Sequence, residues 1–187
     1  MRLLLVIVVI AGFLGGGALP GLHAQVPSAL KTTVTGVEGF RLGMPLSAFT
    51  RATLGQEKPD RAGLREFVSV DVPFTVEGRT YNSARQFGFL NGRLGRMTLL
   101  FHPRLDATIE PMKVMEALRR TAFQTYAPSI VKLSIREAFV VEDARGNRFG
   151  LGLAEGPAQG GVVVEYLTPE YQKVMNRLDP IPNNSPL

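Results

Sequence analysis

The stretch that decides the fold is Arg85–Phe101, which reads RQFGFLNGRLGRMTLLF. Apolar and polar residues alternate on both sides of Asn91-Gly92, a residue pair typical of the tight turn in a β-hairpin. The alternation has the period of two that places one face of a strand on a core and the other in water. The stretch therefore predicts two antiparallel strands.

The turn length sets the register of this hairpin. A two-residue turn would pair Phe89 with Leu94. A three-residue turn, with Gly92 left-handed and a bulge beside it, pairs Phe89 with Arg93 instead. The second register places Phe87 and Phe89 on the apolar face of the following strand, so we expect that one.

A further strand precedes the hairpin at Glu66–Val76, where apolar residues again occupy every second position. Pro73 lies within it and cannot donate a ladder hydrogen bond, so we expect this strand at the edge of the sheet. From the periodicity of all the strands and the second helix we expect a buried set made up of Val68, Val70, Val72, Phe87, Phe89, Met97, Leu99, Leu118, Phe149, Leu151 and Leu153.

Helices are predicted on either side of these strands. Leu46, Phe49 and Ala52 share one face of a short helix that Gly55 ends. Residues 110–126 form a second helix, whose predicted apolar stripe is Met112, Met115, Leu118 and Ala122. After strands at 135–142, 149–153 and 162–167, Thr168-Pro169 starts a last helix with Tyr171, Val174, Met175 and Leu178 on one face.

The predicted order is α-βββ-α-βββ-α, which indicates an α+β domain with helices packed on antiparallel sheet. The repetition of one helix-plus-sheet unit suggests a tandem repeat. Residues 39–178 form this domain, residues 25–38 are a polar leader, and residues 179–187 are a tail.

The first 24 residues direct the chain out of the cytoplasm. Arg2 precedes an apolar run, Pro20-Gly21 breaks it, and Ala24 offers a small residue at a cleavage point, which is the pattern of a signal peptide. The alternative is a retained anchor, because residues 3–22 carry no charge and about 20 such residues span a bilayer core of ~30 Å. Both alternatives place the domain in the periplasm, free or held at the inner membrane.

Composition narrows the function classes. The chain has 187 residues, no cysteine, 45% hydrophobic residues and a formal net charge of +5. Without cysteine it cannot carry a lipid anchor on that residue, a thiolate zinc site or an iron–sulfur cluster. No basic cluster is interleaved with aromatic residues, and the chain is exported, so nucleic acid is not expected as a partner.

Two segments resemble a known family. Leu42-Gly43-Met44 with Phe49 and Leu54-Gly55, together with the Phe89–Leu94 hairpin, look like motifs of small envelope proteins of the SmpA/OmlA type, whose fold is shared in outline with the beta-lactamase inhibitor protein. The chain departs from that group because it lacks a lipid-attachment cysteine and continues into a complete second helix-sheet round. The resemblance implies a non-catalytic helix-on-sheet interaction module.

The residues themselves offer no catalytic set. His102 is the one histidine after the leader, and a single histidine is more often structural than catalytic. The segment at Asp143–Asn147 lacks the ligand run of a calcium loop and is expected to be a hairpin turn. The glycines between 150 and 161 precede no Lys-Ser/Thr helix, so they form no phosphate loop. We therefore expect no enzyme activity, no metal and no cofactor.

The sequence therefore favours a non-enzymatic accessory subunit on the periplasmic side of the inner membrane, bound to a larger complex of the electron-transport, photosynthetic or envelope-assembly type. Its expected contacts are the basic hairpin residues Arg93 and Arg96 or the strand edge around Pro73, and residues 3–22 would contact the membrane if they are not cleaved. The alternative is a free, soluble periplasmic small-ligand binder or an enzyme of unknown class.

Overall fold

The structure is a computed structural model that describes residues 30–37, 39–58, 63–132, 139–154 and 160–178. The predicted signal peptide or anchor, the tail and the start of the strand predicted at 135–142 lie outside these residues. The described strands are β1 (Gln56–Glu57), β2 (Leu64–Val76), β3 (Arg79–Leu90), β4 (Arg93–Phe101), β5 (Val131–Lys132), β6 (Phe139–Glu142), β7 (Arg148–Leu153) and β8 (Val162–Leu167). The α-helices are α1 (Arg51–Leu54), α2 (Pro111–Thr125) and α3 (Pro169–Leu178).

The eight described strands form one antiparallel sheet in the order β1-β2-β3-β4-β8-β7-β6-β5. Each group of four consecutive strands is a meander, and the two meanders meet in the middle where β4 pairs with β8. Because neighbouring strands are antiparallel, short connections suffice within each meander. The predicted α+β class is confirmed.

The β3–β4 hairpin has a different register from the one we expected. Its turn has two residues, Asn91 at φ 51° and Gly92 at φ 71°, so Phe89 pairs with Leu94 and the three-residue turn is wrong. The bulge lies further into β4, at Gly95, because Gly88 pairs with Arg96 while the next pair is Phe89 with Leu94. Because of this extra residue, Phe87 lies on the apolar face of β4, as expected. It pairs with Met97, and both side chains are fully buried.

A bulge also changes the buried face of β2. Ser69 pairs with Arg85 and Val72 pairs with Ser83, so β2 holds one residue more than β3 between these points, and Asp71 there has a φ of 56°. One extra residue moves every later side chain to the opposite face. Phe67 before the bulge and Phe74 after it are therefore both in the core.

The prediction that Val68, Val70 and Val72 are buried is wrong, because Val68 is next to the buried Phe67 and so points to the opposite face, while Val70 and Val72 lie at the bulge. Val68 and Val72 are half-buried, and Val70, at the bulge, is 60% exposed. Leu153 is also exposed, because it is the last residue of β7 and extends past the core that holds Phe149 and Leu151. The remaining members of the expected buried set are buried.

The helices pack on both faces of the sheet. The predicted first helix is divided into a 3-10 turn at Leu46–Ala48 and α1, and Phe49 between them packs on Phe40, Phe87 and Phe89. Helix α2 buries Val114, Leu118 and Ala122. Met112 is exposed and its place in the predicted stripe is wrong, because Val114 rather than Met112 begins the buried row.

Helix α3 lies on the face opposite α2. Tyr171, which is fully buried, forms a small cluster with Leu64 and Leu167 that is separate from the main core. A Cβ atom on Gly88 would lie 2.2 Å from the Tyr171 hydroxyl, and one on Gly95 would lie 2.6 Å from its ring. These two glycines therefore make the space into which α3 docks.

Candidate functional site

The outer edge of β2 is the first candidate contact surface. β1 pairs with only two residues of β2, Phe67 and Val68, and no other described strand lies beside the rest of that edge. Pro73 is exposed there and Val70 is 60% exposed. We call residues 70–73 the β2 edge surface.

The β2 edge surface is poorly suited to pairing with another strand. Pro73 has no amide hydrogen to donate, and the bulge at Asp71 breaks the regular spacing of donors and acceptors. Both features are common means of protecting a sheet edge. A partner would therefore contact this surface through side chains, mainly that of Val70.

Arg93 lies at the start of β4, beside the loop that precedes the first 3-10 turn. Its backbone forms an antiparallel bridge with Pro45, and its Nη1 donates to the carbonyl oxygen of Gly43 at 3.1 Å. The side chain remains exposed. Arg93 can thus offer a positive charge to a partner while one of its nitrogens ties down the loop.

Arg96 is part of a network within the chain. Its Nε donates to Oε1 of Glu165 at 2.7 Å, and its Nη1 lies 3.9 Å from Oε1 of Glu66. The Tyr171 hydroxyl donates to that same Glu66 oxygen at 2.8 Å. The Arg96 side chain is 24% exposed, so its charge serves mainly to balance two carboxylates beneath α3.

His102 is held by a hydrogen bond within the chain. His102 is 9% exposed, and its Nδ1 accepts the backbone amide hydrogen of Arg104 at 3.0 Å. Within the described residues no group of three histidine or acidic side chains is placed to hold a metal ion.

A cavity that the sequence did not indicate lies between α2, the sheet and the residues 31–37 and 39–41. Its volume is about 470 Å³, within the usual range for small-molecule sites. Its apolar lining comes mainly from Phe74, Val76, Leu99, Leu118, Phe149 and Val164.

One wall of this cavity comes from the predicted leader, whose described part packs on the domain. Val34 is 2% exposed. Lys31 donates its amide hydrogen to the Thr125 carbonyl at the end of α2, and its own carbonyl accepts from Ala127. Residues 31–37 therefore cover part of the core.

Asp143 holds this covering segment in place. Its Oδ2 accepts the amide hydrogen of Val34 at 2.9 Å and the side-chain amide of Asn147 at 3.1 Å. Its Oδ1 accepts the backbone amides of Arg145 and Asn147. Burial alone would raise the pKa of Asp143, but these hydrogen bonds together hold the pKa below its usual value.

Two buried tyrosines, Tyr126 and Tyr166, line the cavity. Burial raises the pKa of Tyr126 to about 12, a hydrogen bond with Tyr166 opposes the shift, and the negative charge of Asp143 adds to it. Both rings also pack on Phe149. The sequence correctly predicted that Asp143 begins a turn, but no local pattern links this turn to Val34 or to Tyr126.

Comparison with known proteins assigns no family to this chain. No protein-family model, no curated protein and no solved structure matches this chain. The similarity to SmpA/OmlA-type proteins therefore stays an expectation drawn from its own motifs. In the part of the chain that the structure describes, none of the helices has the length and apolar character needed to cross a membrane.

Proposed function

We propose that the chain is an exported, non-enzymatic accessory subunit that works by contact with a protein partner on the periplasmic side of the inner membrane. The observation that carries this proposal is the β2 edge surface, where none of the described strands pairs with β2 on its outer side beyond Phe67 and Val68, and where Val70 is 60% exposed. Pro73 and the bulge hinder strand pairing there, so the exposed Val70 side chain offers a partner an apolar side-chain contact instead.

The N-terminal sequence supports the location. A basic residue, an apolar run and a small residue at position 24 form an export signal. Cleavage would give a mature chain beginning at Gln25, and retention would anchor the domain to the membrane. Mass spectrometry of the protein purified from its own cells distinguishes these two forms.

Charge supports the choice of partner. The chain carries a formal net charge of +5, and Arg93 presents one exposed positive charge. Opposite charges on a partner would accelerate association, and salt would weaken that effect because charges are screened within ~8 Å at physiological ionic strength. An acidic face on a membrane complex would complement the exposed Arg93.

We also propose that the domain arose as a tandem repeat of one helix-plus-sheet unit. The support is the sheet order, in which β1–β4 and β8–β5 are arranged symmetrically about the β4–β8 pair. In such a repeat β4 and β8 are equivalent strands. Two halves of the chain, expressed separately and mixed, should then reassemble through this pair.

The experiment is purification of the tagged full chain from membranes of the cells that make it, followed by native electrophoresis. We expect a species well above the 20.4 kDa of the chain. Val70→Glu should release the chain from that species, because it places a charge in the contact. Met112→Glu is the matched control, since Met112 is a similarly exposed apolar residue on α2. A wild-type chain that migrates as a free monomer refutes the proposal.

A further inference from the structure

The cavity beneath residues 31–37 and 39–41 has the features of a site for an amphipathic ligand. Its lining combines buried residues of β2, β4, β7 and β8 with Leu118 and Ala122 of α2. Sites for small molecules are commonly concave, apolar and provided with a few polar groups. The placement of those polar groups decides which ligand the cavity would accept.

Three of the threonine hydroxyls along its wall, those of Thr75, Thr121 and Thr125, are already engaged. Thr121 donates to the carbonyl of Ala117 at 3.0 Å, and Thr125 donates to the carbonyl of Thr121 at 2.7 Å. Thr75 shares a hydrogen bond with Thr80 at 2.9 Å. With these hydroxyls engaged, the wall mainly offers apolar contact to a ligand body.

The charged residues of the lining lie at its rim. Glu77 is neutralised by Arg120 of α2, which donates to both of its carboxylate oxygens at 3.0 and 2.8 Å. Lys31 and Arg41 are exposed, and neither forms an ion pair with another described residue. Among the described residues of the rim, Lys31 and Arg41 are therefore the two positive charges that no ion pair compensates.

The wall at Tyr126 has the opposite electrostatic character. Asp143 is 5% exposed and its negative charge disfavours a second negative charge at Tyr126. The hydroxyls of Tyr126 and Tyr166 satisfy each other there. An anionic group is thus disfavoured beside Tyr126 and attracted to the rim.

We propose that this cavity binds a single-chain amphiphile with an anionic head, of the fatty-acid class. The acyl chain lies among Phe74, Leu99, Leu118 and Val164, and the carboxylate lies between Lys31 and Arg41. This binding activity goes beyond the contact function proposed above and does not require a protein partner.

Calorimetric titration of the full-length or mature chain with dodecanoate, below its micelle concentration, tests the proposal. We expect saturable binding of one dodecanoate per chain. Acetate, which has the head without the chain, and dodecyltrimethylammonium, which has the chain with a cationic head, should each bind at least tenfold more weakly. Equal binding of the cationic amphiphile, or no saturable binding of dodecanoate, overturns the proposal.

Two pairs of variants locate the site. Thr125→Trp places a large ring in the cavity, whereas Gln124→Trp places it on the exposed neighbouring position of α2. The double variant Lys31→Glu/Arg41→Glu reverses the rim charges, and Arg119→Glu/Lys173→Glu makes the same change in net charge elsewhere.

We expect at least a tenfold loss of dodecanoate affinity in the first member of each pair and less than a twofold change in the second. Thermal unfolding of each variant establishes that it is folded. If Thr125→Trp does not fold, the rim variant decides alone, because Lys31 and Arg41 are exposed. Unchanged affinity in the rim variant overturns the proposal.

Discussion

The backbone amide of Val34 donates a hydrogen bond to the carboxylate of Asp143 at 2.9 Å, across 109 positions of the sequence. Asp143 is buried and lies in the β6–β7 turn, whereas Val34 belongs to the segment that enters the domain from the N-terminal side. The bond joins the start of the domain to its second meander. It also fixes the wall of the cavity next to Tyr126.

The first prediction concerns Asp143. Asp143→Ala leaves the amides of Val34, Arg145 and Asn147 without their acceptor, and a buried unsatisfied donor costs ~1–3 kcal/mol. We expect a loss of about 3 kcal/mol in the free energy of unfolding, measured by urea denaturation. Asn147→Ala, which removes only one donor side chain, should cost about 1 kcal/mol. Equal effects of the two substitutions would contradict this account.

The second prediction concerns alkaline pH. The Tyr126 pKa is raised to about 12 in the folded chain, whereas a tyrosine in the unfolded chain titrates near pH 10. The unfolded state then loses its proton first, so the stabilisation is complete below pH 10 and is lost as the pH rises towards 12. Unfolding midpoints measured from pH 8 to 12 should fall less steeply for Tyr126→Phe than for the wild type. Parallel curves would show that Tyr126 is not the responsible group.

The third prediction concerns the docking of α3. Gly88→Ala places a methyl group 2.2 Å from the Tyr171 hydroxyl, and overpacking of this kind costs ~1–3 kcal/mol. In a Tyr171→Ala background the same substitution should have almost no cost, because the clashing ring is absent. A double-mutant cycle of unfolding free energies measures this coupling. Additive effects would mean that Gly88 and Tyr171 do not meet.

The fourth prediction concerns Arg96. Arg96→Glu would place a third carboxylate beside Glu66 and Glu165, so we expect a lower thermal unfolding midpoint and partial release of α3. Arg93→Glu, made three residues away at an exposed side chain, should leave the midpoint nearly unchanged. Hydrogen exchange of the α3 amides reports the release. Equal unfolding midpoints for both variants would show that the Arg96 side chain contributes no more to stability than the exposed Arg93 side chain.

The fifth prediction concerns the β3–β4 turn. Gly92 has a φ of 71°, a conformation in which a β-branched side chain is strained. Gly92→Val should cost on the order of 1–2 kcal/mol of unfolding free energy. Gly92→Asn should cost less, because asparagine tolerates left-handed backbone. A Gly92→Val variant with the wild-type unfolding midpoint would show that a β-branched residue is not strained at this turn position.

Local sequence determined the elements whose signals are local. The Asn91-Gly92 turn, the alternation of Phe87 and Phe89 and the helical stripe from Tyr171 to Leu178 are all visible within a few residues. Hydrophobic periodicity and turn chemistry act over such distances. This explains why the α+β class could be predicted, whereas β2, expected at the edge of the sheet because of Pro73, has β1 beside it at Phe67 and Val68.

Only the tertiary structure decided features that depend on an irregular residue or a distant partner. A single extra residue at the bulge near Asp71 reverses which side chains of β2 face the core. The local sequence pattern does not predict such a bulge. Gly88 and Gly95 leave the space that the Tyr171 side chain occupies, and the Asp143 carboxylate accepts a hydrogen bond from the backbone of Val34. The cavity could not be predicted either, because its lining residues come from segments that are far apart in the sequence and meet only in the folded chain.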